Sequence, residues 1–538
     1  VTVRGDAGFP RANNRWSIRR KLYCAASWTG LNDPVLEEER KYQVEPRFKL
    51  PDLSGSLPKG GRLLPRPPAS LRATYYDTGD LRLARAGISL RHRRGDDRPW
   101  TIKLPTATTG VRQEISRAGP ASTIPAEFVR LLTAYHRGAP LSPATTMRTV
   151  RRGYELHDAE ERLLVEIADD TVTVLEGRRT TDTFREIEVE RYAGGRKLLD
   201  KVGKVLRGAG AVEGDFTPKH IRAMGADAAG APDLAAAAGR LSPNATAATV
   251  VTNALRRDIG QIFAYDPLVR LREPLPDGDT PVHQMRVACR RLRSDLRTFR
   301  PLLDATWADG LRAELSWLAD VLGGARDAEV LRDRLRRTAA ADPLAPPDDA
   351  AVARIDADLA ARHEDALQNL DEALDSPRYV ELLERLIDAA ATPQLAPGAR
   401  KPARDLLPGL VARPWRKLGD AASLSPTDPD EVWHAVRIRG KRARYAADAV
   451  ATALGGAAAD LAKALGKVQT LLGEHQDAAV AAETWLAIAD ADPDDHALAV
   501  TAGRLYERER ATIVRVREKF PAAWEAVTQP RLTGWLPQ

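Results

Sequence analysis

The sequence predicts an α+β protein of more than one domain: a mainly β amino-terminal half that closes into a barrel, then an all-α half made by duplication. Three observations predict it. Residues 35 to about 224 carry many short alternating strands, separated by Gly, Pro and Asp turns, whose charged residues recur on one face. A closed sheet gives such a face a lumen to line and leaves no edge exposed. From residue 246 to about 525 the chain is rich in Ala, Leu and Arg with helical periodicity. Within that half two separated blocks match two later blocks at nearly the same interval, so the helices form a repeated unit.

Composition bounds the answer. With 538 residues and 43% hydrophobic content the chain can bury sizeable cores, and its length suggests on the order of two to four domains. The net charge of +7 comes from 81 basic against 74 acidic residues, so local clustering matters more than the total. Cys24 and Cys289 have no metal-ligand spacing and are too few for a disulfide framework, which fits a reducing compartment. No run of eighteen apolar residues exists and residues 1–34 lack the apolar core of a signal peptide. The expected setting is cytoplasmic, with no membrane partner.

In chain order, residues 1–34 lack periodicity and read as a disordered extension. Strands are expected at 36–44, 71–77, 87–94, 99–104, 111–117, 147–156, 162–168, 170–176 and 183–191, with helices at 125–136 and 195–209. Residues 225–245 have linker composition. The helical domain follows over 246–525, broken by Pro-containing loops, and 526–538 form a tail.

The first strand, Leu36 to Val44, alternates so that Glu37, Glu39 and Lys41 share one face while Glu38, Arg40, Tyr42 and Val44 share the other. On an ordinary strand such a wall is simply solvated. Paired carboxylates, however, suit a hard divalent cation, and an adjacent Lys suits the anion that the cation carries. Downstream, basic strands carry Arg91, Arg93, Lys103 and, beside Glu114, Arg112; Arg148, Arg151 and Arg152 follow. Acids then take over, with Glu166, Asp170, Glu186, Glu188 and Glu190. Closure of basic and acidic strands around one lumen would cradle a polyphosphate and leave carboxylates for Mg²⁺. Arg112, Arg151, Arg152 and Glu190 read as surface.

This constellation resembles the CYTH family of triphosphate tunnel enzymes over roughly residues 35–224. The family's first-strand pattern Glu-x-Glu-x-Lys stands here as Glu37, Glu39 and Lys41, supported by Tyr75-Tyr76-Asp77-Thr78, Arg91-x-Arg93, Thr101-Ile102-Lys103 and Phe184-Arg185-Glu186-Ile187-Glu188. The resemblance implies an eight-stranded antiparallel tunnel with flanking helices that binds a linear triphosphate; the family also includes adenylate-forming cyclases and thiamine triphosphatases, which tunnel residues alone do not separate, and the fused helical partner favours hydrolysis of inorganic or a related triphosphate with Mg²⁺ or Mn²⁺. It implies Lys41, Arg91, Arg93, Lys103, Arg148 and Lys219 on phosphate oxygens, Glu37 and Glu39 on the metal, and Glu186 and Glu188 opposite. Glu37, Glu39 and Lys41 are the expected catalytic set, and Glu114, Glu166 and Asp170 further tunnel acids.

In the helical half, Val282 to Arg293 matches Trp433 to Arg444, and Val321 to Val330 matches Leu471 to Val480. At 100° per residue His283, Arg286, Arg290, Arg293 and Arg297 fall in one stripe, and His434, Arg437, Lys441 and Arg444 repeat it. Solvated helices usually intersperse acids four residues from bases, and these stripes do not. Either a polyanion compensates them, or acids such as Asp327 and Asp477 do so inside the bundle. No short turn and recognition-helix pattern follows either stripe, which argues against nucleic acid. The half resembles the CHAD family, the conserved histidine α-helical domain, through the His-x-x-Arg stripes and the segments from Gly323 to Asp327 and Gly473 to Asp477. That resemblance implies two pseudo-symmetric bundles whose basic surface, with Arg326, binds inorganic polyphosphate. The second copy has Gln476 where the first has Arg326. The whole reads as a triphosphatase tunnel joined to a polyphosphate-binding domain, in association with polyphosphate granules. The rival reading is a non-catalytic polyphosphate receptor.

Overall fold

A computed structural model describes residues 35–106, 111–193, 195–213, 218–242, 244–275 and 278–537. The expected extension at 1–34 and the Glu37 side chain lie outside the described residues. The chain divides into two compact units, with the break between Asp233 and Leu234.

The first unit is built on one antiparallel sheet. Its strands are β1 (Val35–Val44), β2 (Arg62–Pro65), β3 (Ala69–Asp77), β4 (Ser89–Arg94), β5 (Trp100–Pro105), β6 (Val111–Arg117), β7 (Ser142–His157), β8 (Leu163–Glu176), β9 (Arg179–Arg191) and β10 (Val212–Glu213). The order β1-β6-β5-β4-β3-β7-β8-β9 returns to β1, because β1 pairs with both β6 and β9. Ten strands are therefore present rather than eight: eight close the ring, β2 adds to β7, and β10 adds to β1. Closure satisfies the backbone of the ring without an open edge.

Alternation then separates two environments. Tyr42, Val44, Leu156, Val165, Ile167, Ile187 and Val189 face outward into a core with Leu199, Val202 and Leu206. Those three come from α4 (Arg196–Gly208), whose apolar residues recur at spacings of three and four. The helix sits so close that a Cβ at Gly203 would overlap the Tyr42 hydroxyl. Short helices α1 (Arg82–Arg85), α2 (Ala126–Leu131) and α3 (Thr133–His136) interrupt the ring's connections. Buried Asp77 accepts from the backbone N–H groups of Thr78, Leu83 and Ala84, which fixes α1 at the end of β3. The last helix of the unit is α5 (Lys219–Met224).

The second unit is all-α. One series runs α6 (Ala247–Leu271), α7 (Pro281–Thr298), α8 (Ala305–Ala339) and α9 (Asp349–Leu374), followed by α10 (Pro377–Ala391). The second runs α11 (Ala403–Gly419), α12 (Asp430–Leu454), α13 (Gly456–Asp490) and α14 (His496–Val527), followed by α15 (Pro530–Thr533). Each helix packs on its chain neighbours, and α6, α7, α8 and α9 each also meet their counterpart in the other series. The copies are thus paired helix by helix. Two expectations change at the margins. Part of the supposed linker is packed, since Asn253 bonds both the N–H and the C=O of Ala238. The supposed tail is helical, with Val527 and Leu532 buried.

Candidate functional site

The register of four adjacent strands sets out the acidic wall of the lumen. Glu39, Glu190, Glu166 and Glu155 lie side by side across β1, β9, β8 and β7. Two residues along each strand come Lys41, Glu188, Ala168 and Gly153, and two further Gln43, Glu186, Asp170 and Arg151. Like charges directly opposite one another on a sheet are destabilising unless a cation intervenes. Burial, then the neighbouring Glu190, holds the Glu166 carboxyl above its usual range.

Protein cations already serve the next two rows. The Lys41 ammonium sits 2.8 Å from Glu188 and 3.3 Å from Glu39. Burial alone would lower the Lys41 pKa, but these carboxylates raise it. Arg151 grips Asp170 with two bonds of 2.7 and 2.6 Å and reaches Glu188 at 2.9 Å. Lys219, at the start of α5, sits 2.7 Å from Asp170, 2.9 Å from Glu186 and 3.5 Å from Glu188. Against the cost of burial, Lys219, Lys41 and Arg151 hold Glu188 well below the usual carboxylate range.

The opposite wall is basic. Tyr75, Arg91, Thr101 and Ser116 form one row across β3, β4, β5 and β6, and Lys103 pairs across the strands with Glu114 at 3.0 Å. Arg91 bonds the Tyr75 hydroxyl; burial would raise that hydroxyl's pKa, but Arg91, Lys219 and Lys103 bring it down. Arg93 is on the same face as Arg91 and reaches Asp96 at 2.5 Å. Arg112 lies on the face of Glu114 and donates to the Gly87 carbonyl at 3.0 Å.

Several sequence expectations change. Arg148 does not face the lumen: it is exposed and shares the outward face of β7 with Val150, Arg152 and with Tyr154 and Leu156, which pack in the outer core. Arg151, expected on the surface, takes the lumen position, as do Arg112 and Glu190; Arg152 is exposed as expected. Lys219 and Lys41, expected on phosphate, bind carboxylates here. Asp170 joins Glu186 and Glu188 as the tightest acid group, with one oxygen of each within 4.8 Å of the others. That all-oxygen donor set fits Mg²⁺ or Mn²⁺. Glu186 Oε1 is buried with no aligned hydrogen-bond donor, although Lys219 is near. A cavity of about 290 Å³ opens beside Lys41 and Glu186, walled on one side by Ile221 and Arg222 of α5.

In the helical unit the two stripes converge because α7 meets α12. Arg286 pairs with Asp327 at 3.0 Å and lies against Gly323, where a Cβ would come 3.2 Å from its guanidinium. Arg326 pairs with Glu329 at 2.9 Å. His283 is 3.8 Å from Asp279, and His434 bonds Gln476, so both histidines are engaged within their own copy. Arg444 donates to Gln469. Among the described residues, none of Arg290, Arg293, Arg297, Arg437, Lys441 and Arg444 lies within 4.0 Å of a carboxylate. Lys441 is only 8% exposed, and its pKa is pushed down to about 6 by burial, then by Arg290 and Arg437. Asp477 offsets this only in part. The stripes thus meet as one under-compensated basic floor.

These two units define a class: a closed charged β-tunnel joined to a duplicated helical bundle with a basic floor. Residues 36–219 match the CYTH domain family and residues 253–486 the CHAD domain family. The chain belongs to the family of proteins that join a CYTH domain to a CHAD domain. It is 32% identical over 520 residues to the uncharacterized protein Rv2226 of Mycobacterium tuberculosis (strain ATCC 25618 / H37Rv), covering 91% of this chain and 95% of that protein. It is 31% identical to MT2285 of M. tuberculosis (strain CDC 1551 / Oshkosh), with the same coverage. Among solved structures, PptA from Streptomyces chartreusis aligns with 52% of this chain and all of its own at 24% identity and a TM-score of 0.45. The CHAD domain from the plant Ricinus communis aligns with 54% of this chain and 96% of its own, at 24% identity and a TM-score of 0.42. Among the described residues no helix is long and apolar enough to cross a membrane.

Proposed function

We propose that the tunnel hydrolyses inorganic triphosphate, or a closely related triphosphate, with a divalent metal, and that the helical unit binds inorganic polyphosphate in the cytoplasm. The observation that carries the first part is a single closed lumen with Arg91, Arg93, Lys103 and Arg112 on one side and Asp170, Glu186 and Glu188 on the other. A polyphosphate needs the first set to offset its oxygens, and phosphoryl transfer needs little beyond positioning and charge stabilisation.

Mg²⁺ or Mn²⁺ bound by Asp170, Glu186 and Glu188, with Glu39 beyond Glu188, would offset charge on the terminal phosphoryl group and lower the pKa of water. The chain's own part is to orient and to balance charge. Arg91 and Lys103 hold phosphate oxygens, and Arg151 fixes the Asp170 carboxylate. Lys41 and Lys219 offset part of the acid wall's charge until substrate and metal arrive, then turn to the substrate's oxygens. The test is phosphate release from triphosphate with Mg²⁺, Mn²⁺ or chelator. Wild type should turn over only with metal, and Glu39→Gln and Glu188→Gln should each lose about 10²–10³ in kcat, the scale of one preorganised contact. Turnover within threefold of wild type in both variants, or none in wild type, rejects the reading.

A further inference from the structure

The two residues that open α5 serve opposite walls of the lumen. Lys219 reaches the acids, whereas His220 stacks flat on Tyr75, with ring centroids 5.5 Å apart and planes 6° apart. Tyr75 belongs to the basic wall through Arg91. Behind the stack, Met147, Val174 and Phe184 pack with Ala223 and Met224 of α5, which fixes the helix against this end of the barrel. His220 is 5% exposed, and its Nε2 is buried with no hydrogen-bond partner. A buried unpaired nitrogen is destabilising unless something else satisfies it.

The charged groups that act on the ring are Lys41 on β1, Arg91 on β4, Lys103 on β5 and Arg112 on β6. Lys219 is its chain neighbour, and the Tyr75 hydroxyl lies in the stacking partner. Burial, then Arg112, Lys41, Arg91 and Lys103, pushes the imidazole pKa down to about 3. An unfilled polar atom so placed, beside the basic wall that holds the anion in the proposed function, marks a contact point for that anion.

Building on the tunnel function above, we propose that His220 is a substrate-contacting residue whose Nε2–H donates to an oxygen of the triphosphate held by Arg91, Lys103 and Arg112. The neutral ring donates from the Nε2–H tautomer. No bond to carbon or phosphorus is made by the imidazole.

The test compares the full chain with His220→Phe, which keeps the stack and removes the nitrogen, and His220→Gln, which restores a donor near the same place. Triphosphate affinity is measured without metal, KM and kcat with Mg²⁺, and the ¹⁵N shifts of labelled histidines with and without triphosphate. His220→Phe should fold with a melting temperature equal to or above wild type, lose about tenfold or more in affinity and raise KM to match, the scale of one hydrogen bond to a charged group. His220→Gln should recover most of the loss, and one histidine Nε2 signal, absent from His220→Phe, should move on titration. Affinity of His220→Phe within twofold of wild type, or no moving signal, overturns the contact whatever turnover does. Wild type that binds triphosphate without releasing phosphate rejects only the hydrolase reading, and His220 is then judged on affinity. Wild type that does not bind triphosphate overturns both.

Discussion

Lys219 holds three largely buried carboxylates within 3.5 Å, and with Lys41 and Arg151 it offsets three of the four charges on Glu39, Asp170, Glu186 and Glu188. Removing one partner of a buried ion pair typically costs about 3–5 kcal/mol, because the partner left behind is charged and desolvated. Lys219→Met should therefore lower the melting temperature sharply in chelator, and millimolar Mg²⁺ should restore much of it by replacing the ammonium. An equal loss with and without Mg²⁺, read by thermal unfolding, would separate these acids from any metal role. Lys441 presents the opposite imbalance: Arg286, Arg290 and Arg437 crowd it, with Asp477 the acid nearby. Its folded pKa is lowered to about 6, so between that value and the ordinary lysine range the unfolded chain binds the extra proton. Stability from this group therefore rises with pH across that window. A bound polyanion favours the ammonium, so polyphosphate binding near pH 7.5 should take up protons and weaken as pH rises. Calorimetry in buffers of different ionisation heat reads the uptake, and Lys441→Arg should abolish it while keeping affinity.

At the scale of the element, what could be read from sequence was whatever repeats locally. The alternation along β1 distinguishes its two faces unaided: Glu39 and Lys41 face the lumen, while Arg40 reaches Asp200 on α4 and Glu38 reaches Arg191 and Arg196. The helical repeats were visible as matched blocks, and helices α8 and α13 are each 35 residues long. Strand β8 was misread as two strands because Asp169-Asp170 looks like a turn. Its acids are instead neutralised by residues distant in sequence: Arg185 takes Asp169 with two bonds on the outside, and Arg151 takes Asp170 on the inside. The resemblance alone assigned Arg148 to phosphate, and the register of β7 turns it outward and brings Arg151 inward, since odd and even positions face opposite sides of a strand. Strands β2 and β10 and helix α1 are too short for any period to announce them. The role of Lys219 depends on α5 folding back over the barrel, which no local pattern encodes.

Across the helical unit as a whole, the meeting of α7 with α12 changes how its basic residues should be counted. Two separate stripes would bind independently, and the second copy, with Gln476, would be the weaker. One shared floor predicts instead that Arg290, Arg437 and Lys441 act together. With the full chain, log affinity for long-chain polyphosphate should fall linearly with log salt, and replacing all three with Ala should reduce the slope by roughly two units, at about 0.7 per contact. A filter or calorimetric salt series checks this, and an unchanged slope would return the stripes to separate sites. The counterpart pairing of the helices also bears on what such a floor can tell apart. A linear phosphate chain reads the same from either end, whereas a nucleic acid strand runs from one chemically distinct terminus to another. If the helical unit binds as proposed, a floor built from two paired copies would carry little sense of direction, which suits a ligand that has none, whereas a directional strand could satisfy only one half in its preferred orientation.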